Sequence, residues 1–296
     1  MSATDRGPAA YAPAAGAAAT CVFAVRRSGD PGALAGRTGH AGGGPLRLLP
    51  LAGSLWAVVQ SVPAAEFTQE ALRQRLADPL VLENCARSHH AVITAAAEDG
   101  PVVPLPLATL FTDERRAVDV LDQQRSHLVG VLDRLTGRAE WAVKVHIGRP
   151  AEARAPARSA PRAVGDRTGA DAATGTGAGT GAGADADAGA AYLTRVRGRE
   201  RDRRAWQDAT LHVAQQVHDT AAALAVAAVR RTPHGPRITG PERHQVLNAA
   251  FLVDDARAEE LATAVRALHG AFPGLDVHID VSGPWVPYSF TEGRRP

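Results

Sequence analysis

Runs of apolar residues in the first quarter of the chain predict a small sheet followed by helices. Three segments have the Val, Leu and aromatic content of β-strands: CVFAV (21–25), PLRLLPL (45–51) and LWAVVQSV (55–62). Asp78 supplies a side-chain oxygen for unpaired helix amides, and Pro79 suits a first helical turn. A helix over 79–96 is therefore predicted, after a shorter one over 69–77.

The pattern from residue 101 to residue 148 predicts an extended segment, one long helix and a strand. Three prolines in PVVPLPLATLF (101–111) exclude a regular helix and favour an edge strand. A helix then begins at Thr112-Asp113 and ends at Gly137. Its apolar stripe consists of Val118, Leu121, Leu128, Leu132 and Leu135. The next segment alternates apolar residues with smaller or polar ones, which predicts a strand with one solvent-exposed face. The apolar positions are Trp141, Val143, Val145 and Ile147, and the alternating ones are Ala142, Lys144, His146 and Gly148.

Residues 149–188 contain no Leu, Ile, Phe or Trp and are dominated by Ala and Gly. Such a segment buries too little apolar surface to offset its own ordering entropy, so we expect a disordered Gly/Ala-rich linker. Residues 1–20 are interpreted as a disordered tail. The linker separates an N-terminal α+β domain of mixed sheet and helices (21–148) from a C-terminal domain (189–291).

In the C-terminal domain the pattern predicts a long helix followed by a β-α-β unit. The helix is expected from Tyr192 to Val229, with a break near Gly198. The β-α-β unit consists of a strand over 245–253, a helix bearing Leu261, Val265, Leu268 and Phe272, and a strand over 275–281. A helix of this length favours a right-handed crossover between parallel or split-parallel strands, as in ferredoxin-like modules. The predicted fold class is α+β.

Amino-acid composition, net charge and cysteine spacing limit the classes of protein to which this chain can belong. The chain has 296 residues, of which 45% are hydrophobic, so it can bury a sizeable core. No apolar run approaches the roughly 18 to 20 residues that a membrane-spanning helix needs. The formal charge of +2 gives no strong reason to expect nucleic acid or an anionic membrane as partner. Cys21 and Cys85 lie far apart without CxxC spacing, a pattern that suits a reducing cytoplasm.

The motifs of common catalytic and cofactor sites are missing from the sequence. It contains no P-loop, no G-x-G-x-x-G after a strand, no G-x-S-x-G and no H-E-x-x-H. His89 and His90 are adjacent, so on a helix they diverge by about 100° and cannot chelate one metal together. We therefore predict no catalytic, cofactor-binding or metal-binding residues, and a protein that is not an enzyme.

The segment RVRGRERDRR (195–204) contains six arginines. One interpretation is a solvated helix face, because Glu200 and Asp202 interrupt the arginines and no aromatic residues are interleaved for base stacking. The alternative is a nucleic-acid-associated regulatory module, since Arg195 to Arg204 could bind phosphates at low salt.

The aromatic and proline-rich segment GPWVPYSF (283–290) is the most distinctive feature of a chain with only 4% aromatic residues. Its candidate interface residues are Trp285, Pro287, Tyr288 and Phe290. They could cover the open end of the C-terminal sheet, with the prolines fixing an extended path. Alternatively, they could form an exposed docking surface for a partner protein.

An ordered series of motifs resembles the GvpL/GvpF family of gas vesicle proteins. After an early strand come HHAV (89–92), PLPLATLF (104–111), EWAVK (140–144), AAYL (190–193), LNAAFLV (247–253) and GPWVPYSF (283–290). Trp141 and Lys144 of EWAVK join the candidate motif residues for this reason. The chain departs from the usual Pro-Leu-Arg-Phe-Gly-Thr of the family at residues 104–109, and Val286 replaces a usual proline.

This resemblance implies a function in assembly rather than catalysis. It implies two α+β domains, the second ferredoxin-like, and a cytoplasmic protein associated with gas vesicles. It also implies an accessory or minor structural protein that binds the hydrophobic major shell protein and other vesicle proteins. No cofactor and no catalytic residue come with the resemblance.

Overall fold

A computed structural model describes residues 17–67, 71, 73–74, 77–148, 182–235 and 243–291. Most of the predicted helix over 69–77, most of the expected tail and residues 149–181 of the expected linker lie outside the described residues. At two boundaries the expectation was wrong: Ala18 to Thr20 belong to the first strand, and the long helix of the C-terminal half begins at Ala182.

The first sheet, sheet 1, is antiparallel and is formed by the N-terminal part of the chain. Its strands are β1 (Ala18–Arg26), β2 (Leu46–Leu51), β3 (Leu55–Pro63), β4 (Val102–Pro104) and β5 (Leu110–Phe111). The order is β2-β3-β1-β4, and β5 also pairs with β1. The three predicted strands and the extended proline-rich segment are confirmed.

Helices cover both faces of sheet 1. Helix α1 (Pro79–Ala96) begins where predicted, and the Asp78 carboxylate accepts the Leu80 N–H at 2.9 Å. Val92 and Ile93 of α1 pack on one face of the sheet. Helices α2 (Glu114–Gln123) and α3 (Arg125–Leu135) pack on the other face.

The prediction of one continuous helix between Asp113 and Gly137 was wrong. The chain leaves helical geometry at Gln124 (φ −93°, ψ 6°), which separates α2 from α3. The apolar spacing could not reveal this break. Leu121 and Leu128 are seven residues apart, so they face the same side whether they belong to one continuous helix or to two successive helices. Both leucines are buried.

Sheet 2 contains β6 (Arg138–Gly148), β7 (Ala227–Arg230), β8 (Arg243–Asp254) and β9 (Val277–Trp285). The order is β7-β8-β6-β9, and all neighbours are antiparallel. Helix α4 (Ala182–Ala222) lies in the connection from β6 to β7, and α5 (Ala258–Arg266) lies in that from β8 to β9. Because β6 separates β8 from β9, these two strands are parallel without being neighbours.

Two further expectations, one about the long helix and one about strand β6, were wrong. The long helix continues through Gly198 without a break and ends at Ala222, and residues 227–230 form β7 rather than a last helical turn. Strand β6, which the expected boundary at residue 148 assigned to the N-terminal domain, pairs with β8 and β9. Alternation along β6 shows that one face is buried, but it does not identify the pairing strands.

The two sheets share one hydrophobic core. One cluster combines residues of β1, β3, α2 and α3 with Ala250 and Leu252 of β8 and with Phe290 near the C-terminus. The other face of sheet 2 packs against α4 and α5 through Val143, Val145 and Val217. In the described ranges, no helix combines the length and apolarity that crossing a bilayer requires.

Candidate protein-interaction site

The segment Gly283–Phe290, here called the C-terminal segment, begins with the last three residues of β9, which lie close against β6, and then leaves sheet 2. Gly283 has φ 154°, and a Cβ there would lie 2.8 Å from Trp141 Cδ2 and 3.0 Å from the Glu140 carbonyl oxygen. Only glycine combines this backbone geometry with such a close approach. Beyond Trp285 the chain turns into a short 3₁₀-helix, Tyr288–Phe290.

A buried carboxylate fastens the C-terminal segment to β6. Glu140 is 4% exposed. The Ser289 N–H donates to Glu140 Oε2 at 2.8 Å, and the Ser289 hydroxyl donates to Oε1 at 2.9 Å. The Arg231 guanidinium donates to Oε1 at 2.8 Å and neutralises the charge. These hydrogen bonds and this ion pair offset the free energy of removing the Glu140 carboxylate from water, which would be strongly unfavourable without partners.

Two of the predicted residues of the C-terminal segment are packing residues. Pro287 is buried, and Phe290 is 5% exposed within the core that the two sheets share. The Arg134 guanidinium of α3 donates to the Phe290 carbonyl oxygen. For Pro287 and Phe290, the structure favours the interpretation that the segment covers apolar surface.

The other two aromatic residues of the segment face outward. Trp285 is 46% exposed and Tyr288 is 36% exposed. Their rings lie 6.3 Å and 5.8 Å from the ring of His90 on α1, and the Tyr288 hydroxyl lies 3.0 Å from His90 Nδ1. Burial, aided by the negative charge of Glu140, raises the pKa of Tyr288 to about 12. The Tyr288 hydroxyl is therefore protonated at neutral pH and can donate a hydrogen bond to His90 Nδ1.

A groove of about 500 Å³, here called the aromatic groove, separates α1 from the C-terminal segment. His90 and Thr94 of α1, together with Glu98 just beyond the end of that helix, form one wall. The rest of the lining contains the charged residues Arg138 and Asp255 but is mainly apolar, and it includes Val102, Leu135, Ala139, Pro284, Trp285, Val286 and Pro287. A concave apolar surface with few charged groups is suited to apolar side chains of a partner.

Trp141 and Lys144 do not line the aromatic groove. Trp141 packs with the core under α4 and α5, and its indole borders Gly283. Lys144 lies on the opposite face of β6, since the flanking Val143 and Val145 face that core. Lys144 lies opposite Asp280 of β9 in the strand pairing. It is four positions along β6 from Glu140, so Lys144 and Glu140 are about 13 Å apart.

The two adjacent histidines have separate environments. His89 is buried against Phe23 and His40, and its Nε2 lies 3.0 Å from the Leu105 carbonyl oxygen, whereas His90 faces the C-terminal segment. Over the described part of the chain, no three His, Cys, Asp or Glu side chains are grouped so that they could hold a metal ion.

Sequence reasoning missed Glu140, Ser289 and Arg231 as one unit. Glu140 was visible only as the first residue of the EWAVK motif. Ser289 lies 149 positions from Glu140, and Arg231 lies 91 positions from it. Because both contacts join residues that are far apart in the chain, no local sequence pattern could predict them.

Comparisons with known proteins give a consistent result. The family described as "Gas vesicle synthesis protein GvpL/GvpF" matches residues 19–292. Gas vesicle protein L of Streptomyces sp. (strain CB03234) is 34% identical over 270 residues, which cover 91% of each chain.

Two solved structures have a similar fold. The gas vesicle protein GvpF from Anabaena sp. PCC7120 superposes with a TM-score of 0.61 at 16% identity, over 94% of this chain and 98% of that one. GvpF from Microcystis aeruginosa gives 0.60 at 15% identity, over 93% and 99%. At these identities the two structures establish the fold alone.

Proposed function

Because the chain belongs to the GvpL/GvpF family of gas vesicle synthesis proteins, we propose that it binds the hydrophobic major shell protein during vesicle assembly. It acts as an accessory or minor structural protein, also contacts other vesicle proteins, and is located in the cytoplasm in association with gas vesicles. No catalytic step and no cofactor are part of this function.

The proposed architecture has two α+β units, of which the second is ferredoxin-like. The chain order β6-α4-β7-β8-α5-β9 with the sheet order β7-β8-β6-β9 supports this, because it is the pattern of a split β-α-β fold. In this division the second unit begins at β6 rather than at residue 189.

The exposure of Trp285 beside the aromatic groove is the observation that carries the proposed binding role. Phe290 and Pro287 already hold the C-terminal segment in place. Trp285 nevertheless leaves 46% of its surface in water, on the wall of a groove whose lining is mainly apolar. Exposed tryptophan and tyrosine side chains supply much of the energy of protein interfaces, so this wall fits a hydrophobic partner.

The test is capture of the major shell protein from the same gene cluster by the full chain carrying Trp285→Ala. We expect capture to fall about tenfold or more, as for an interface anchor, while circular dichroism and the melting temperature stay unchanged. The matched control is Leu211→Ala, since Leu211 is a large apolar residue of α4 that is 69% exposed and lies away from the groove. That variant should capture as the wild type does.

A second variant separates docking from folding. Thr94 is exposed on α1 and lines the groove without belonging to the C-terminal segment. Thr94→Arg should fill the groove and reduce capture with no loss of stability. Full capture by both folded variants would show that the groove is not the binding site. If Trp285→Ala unfolds and Thr94→Arg still captures, Trp285 is a packing residue.

A further inference from the structure

Helix α4 is longer than the sheet on which it packs. It has 41 residues, which correspond to about 60 Å. Among the residues from Tyr192 onward, for which the structure describes burial, the buried ones begin at Thr210 and continue through Val213, Val217 and Ala221. From Tyr192 to Arg204, here called the α4 arm, every residue is exposed except Gly198 and Glu200, which are partly exposed. A Cβ on Gly198 would meet no atom within 4 Å.

The face of the α4 arm that carries apolar residues continues the packing face of the helix. Tyr192, Val196, Arg199 and Arg203 follow at steps of four, three and four residues, in line with Trp206, Thr210 and Val213. On sheet 2 this stripe is buried. On the arm no part of the sheet lies beneath it, so Tyr192 is 61% and Val196 is 40% exposed.

Arginines make the α4 arm strongly cationic, and two of them lie on its apolar stripe. Six arginines and two acidic residues give residues 195–204 a net charge of +4. Glu200 pairs with Arg203 at 2.7 Å and with Arg204 at 3.1 Å, both in solvent-exposed geometry that contributes little energy. Arg199 and Arg203 thus stand beside Tyr192 and Val196 on one helical stripe.

We propose that the α4 arm is a second binding surface, which takes an acidic amphipathic helix of another protein. Tyr192 and Val196 pack against the apolar stripe of that helix, and Arg199 and Arg203 pair with its carboxylates. Aromatic residues combined with arginine are typical of protein interfaces. This surface is separate from the aromatic groove, so its failure would leave the shell-protein proposal untouched.

The observations favour an acidic protein partner over two other occupants. A second copy of this chain would bring two cationic arms together, and their like charges would repel. A nucleic acid would make no use of the apolar residues Tyr192 and Val196, because its affinity comes mainly from contacts with its phosphates. The arm also carries no aromatic residue between its arginines for base stacking.

The experiment measures binding of a labelled synthetic peptide to the full-length protein. The peptide is an amphipathic helix of Leu and Glu about 20 residues long, and a scrambled peptide of the same composition serves as control. We expect Arg199→Glu/Arg203→Glu to weaken binding about tenfold or more, because two interfacial charge pairs are reversed. Arg197→Glu/Arg201→Glu makes the same charge change on the opposite face and should weaken binding by less than about threefold.

Tyr192→Ala tests the apolar part of the contact and should weaken peptide binding by about fivefold, a loss that high salt does not remove. The proposal is overturned if wild-type protein does not bind the peptide, or if the scrambled peptide binds equally well. It is also overturned if both charge pairs matter equally and duplex DNA binds with a steep salt dependence. That last outcome would assign the arm to nucleic acid.

Discussion

Glu140 shows how a single buried charge can position an exposed surface. Its carboxylate lies on β6 and is almost completely removed from water, so it must be paired and hydrogen-bonded. Ser289 and Arg231 supply these partners from two distant parts of the chain. Since Ser289 follows Tyr288 directly, the same contacts fix the wall of the aromatic groove.

Glu140→Gln should therefore lower the free energy of unfolding by about 2 kcal/mol, because it leaves buried donors poorly matched and removes the counter-charge of Arg231. Urea denaturation of the full chain measures this change. Glu259→Gln, at an exposed position of α5, is the matched control and should stay within about 0.5 kcal/mol of the wild type. An equally small effect at Glu140 would contradict a role as an anchor.

The contact between α1 and sheet 1 is held partly by a buried imidazole. The ring of His89 lies 5.3 Å from that of Phe23 and 6.0 Å from that of His40. Burial lowers the pKa of His89 below its ordinary value of 6.5, although its contact with the Leu105 carbonyl opposes this shift. His146 on β6 has a pKa lowered by burial in the same direction.

The lowered pKa values of His89 and His146 predict that the fold loses stability as the pH falls below about 6.5. A histidine that binds its proton more readily when unfolded makes the free energy of unfolding rise with pH, by at most about 1.4 kcal/mol per pH unit. Full stability is present above pH 6.5 and is lost as pH falls toward the folded-state pKa. Urea denaturation at about pH 7.5 and about pH 5.5 measures the loss.

His89→Gln should reduce this pH dependence, and the part due to His146 should remain. The comparison is between slopes, so a general loss of stability in the variant does not affect it. An unchanged slope would mean that His89 does not contribute to the pH dependence of folding.

At the scale of the whole molecule, the shared core couples the two sheets. Phe290 lies in this core together with residues of β1, β3, α2 and α3, although it follows the last strand of sheet 2. Arg134 of α3 and His90 of α1 contact the C-terminal segment as well. The two units are therefore expected to unfold as one cooperative body.

Phe290→Ala should remove about 3 to 5 kcal/mol of stability, because it leaves a cavity in the shared core. Hydrogen exchange read separately on β3 and β8 peptides distinguishes the two sheets. We expect both sets of amides to lose protection together. If only the β8 amides lost protection, the units would be independent and the coupling argued here would be wrong.

The sequence alone determined the elements whose pattern reports burial. Strands β1, β3, β6 and β8 and helix α1 were predicted because burying one face requires the same spacing whatever lies on it. The motif residues Trp285, Pro287, Tyr288 and Phe290 were also visible, and the family resemblance they helped to carry is confirmed.

Only the tertiary structure decided how these elements combine. Alternation in β6 could not identify β8 and β9 as its partners, and the Ala-rich residues 227–230 fit a helix until pairing with β8 made them a strand. Within the C-terminal segment, contacts with Glu140, Arg134 and the shared core bury Phe290 and leave Trp285 exposed. Local periodicity records that a face is buried, whereas the identity of the covering surface depends on residues far away in the chain.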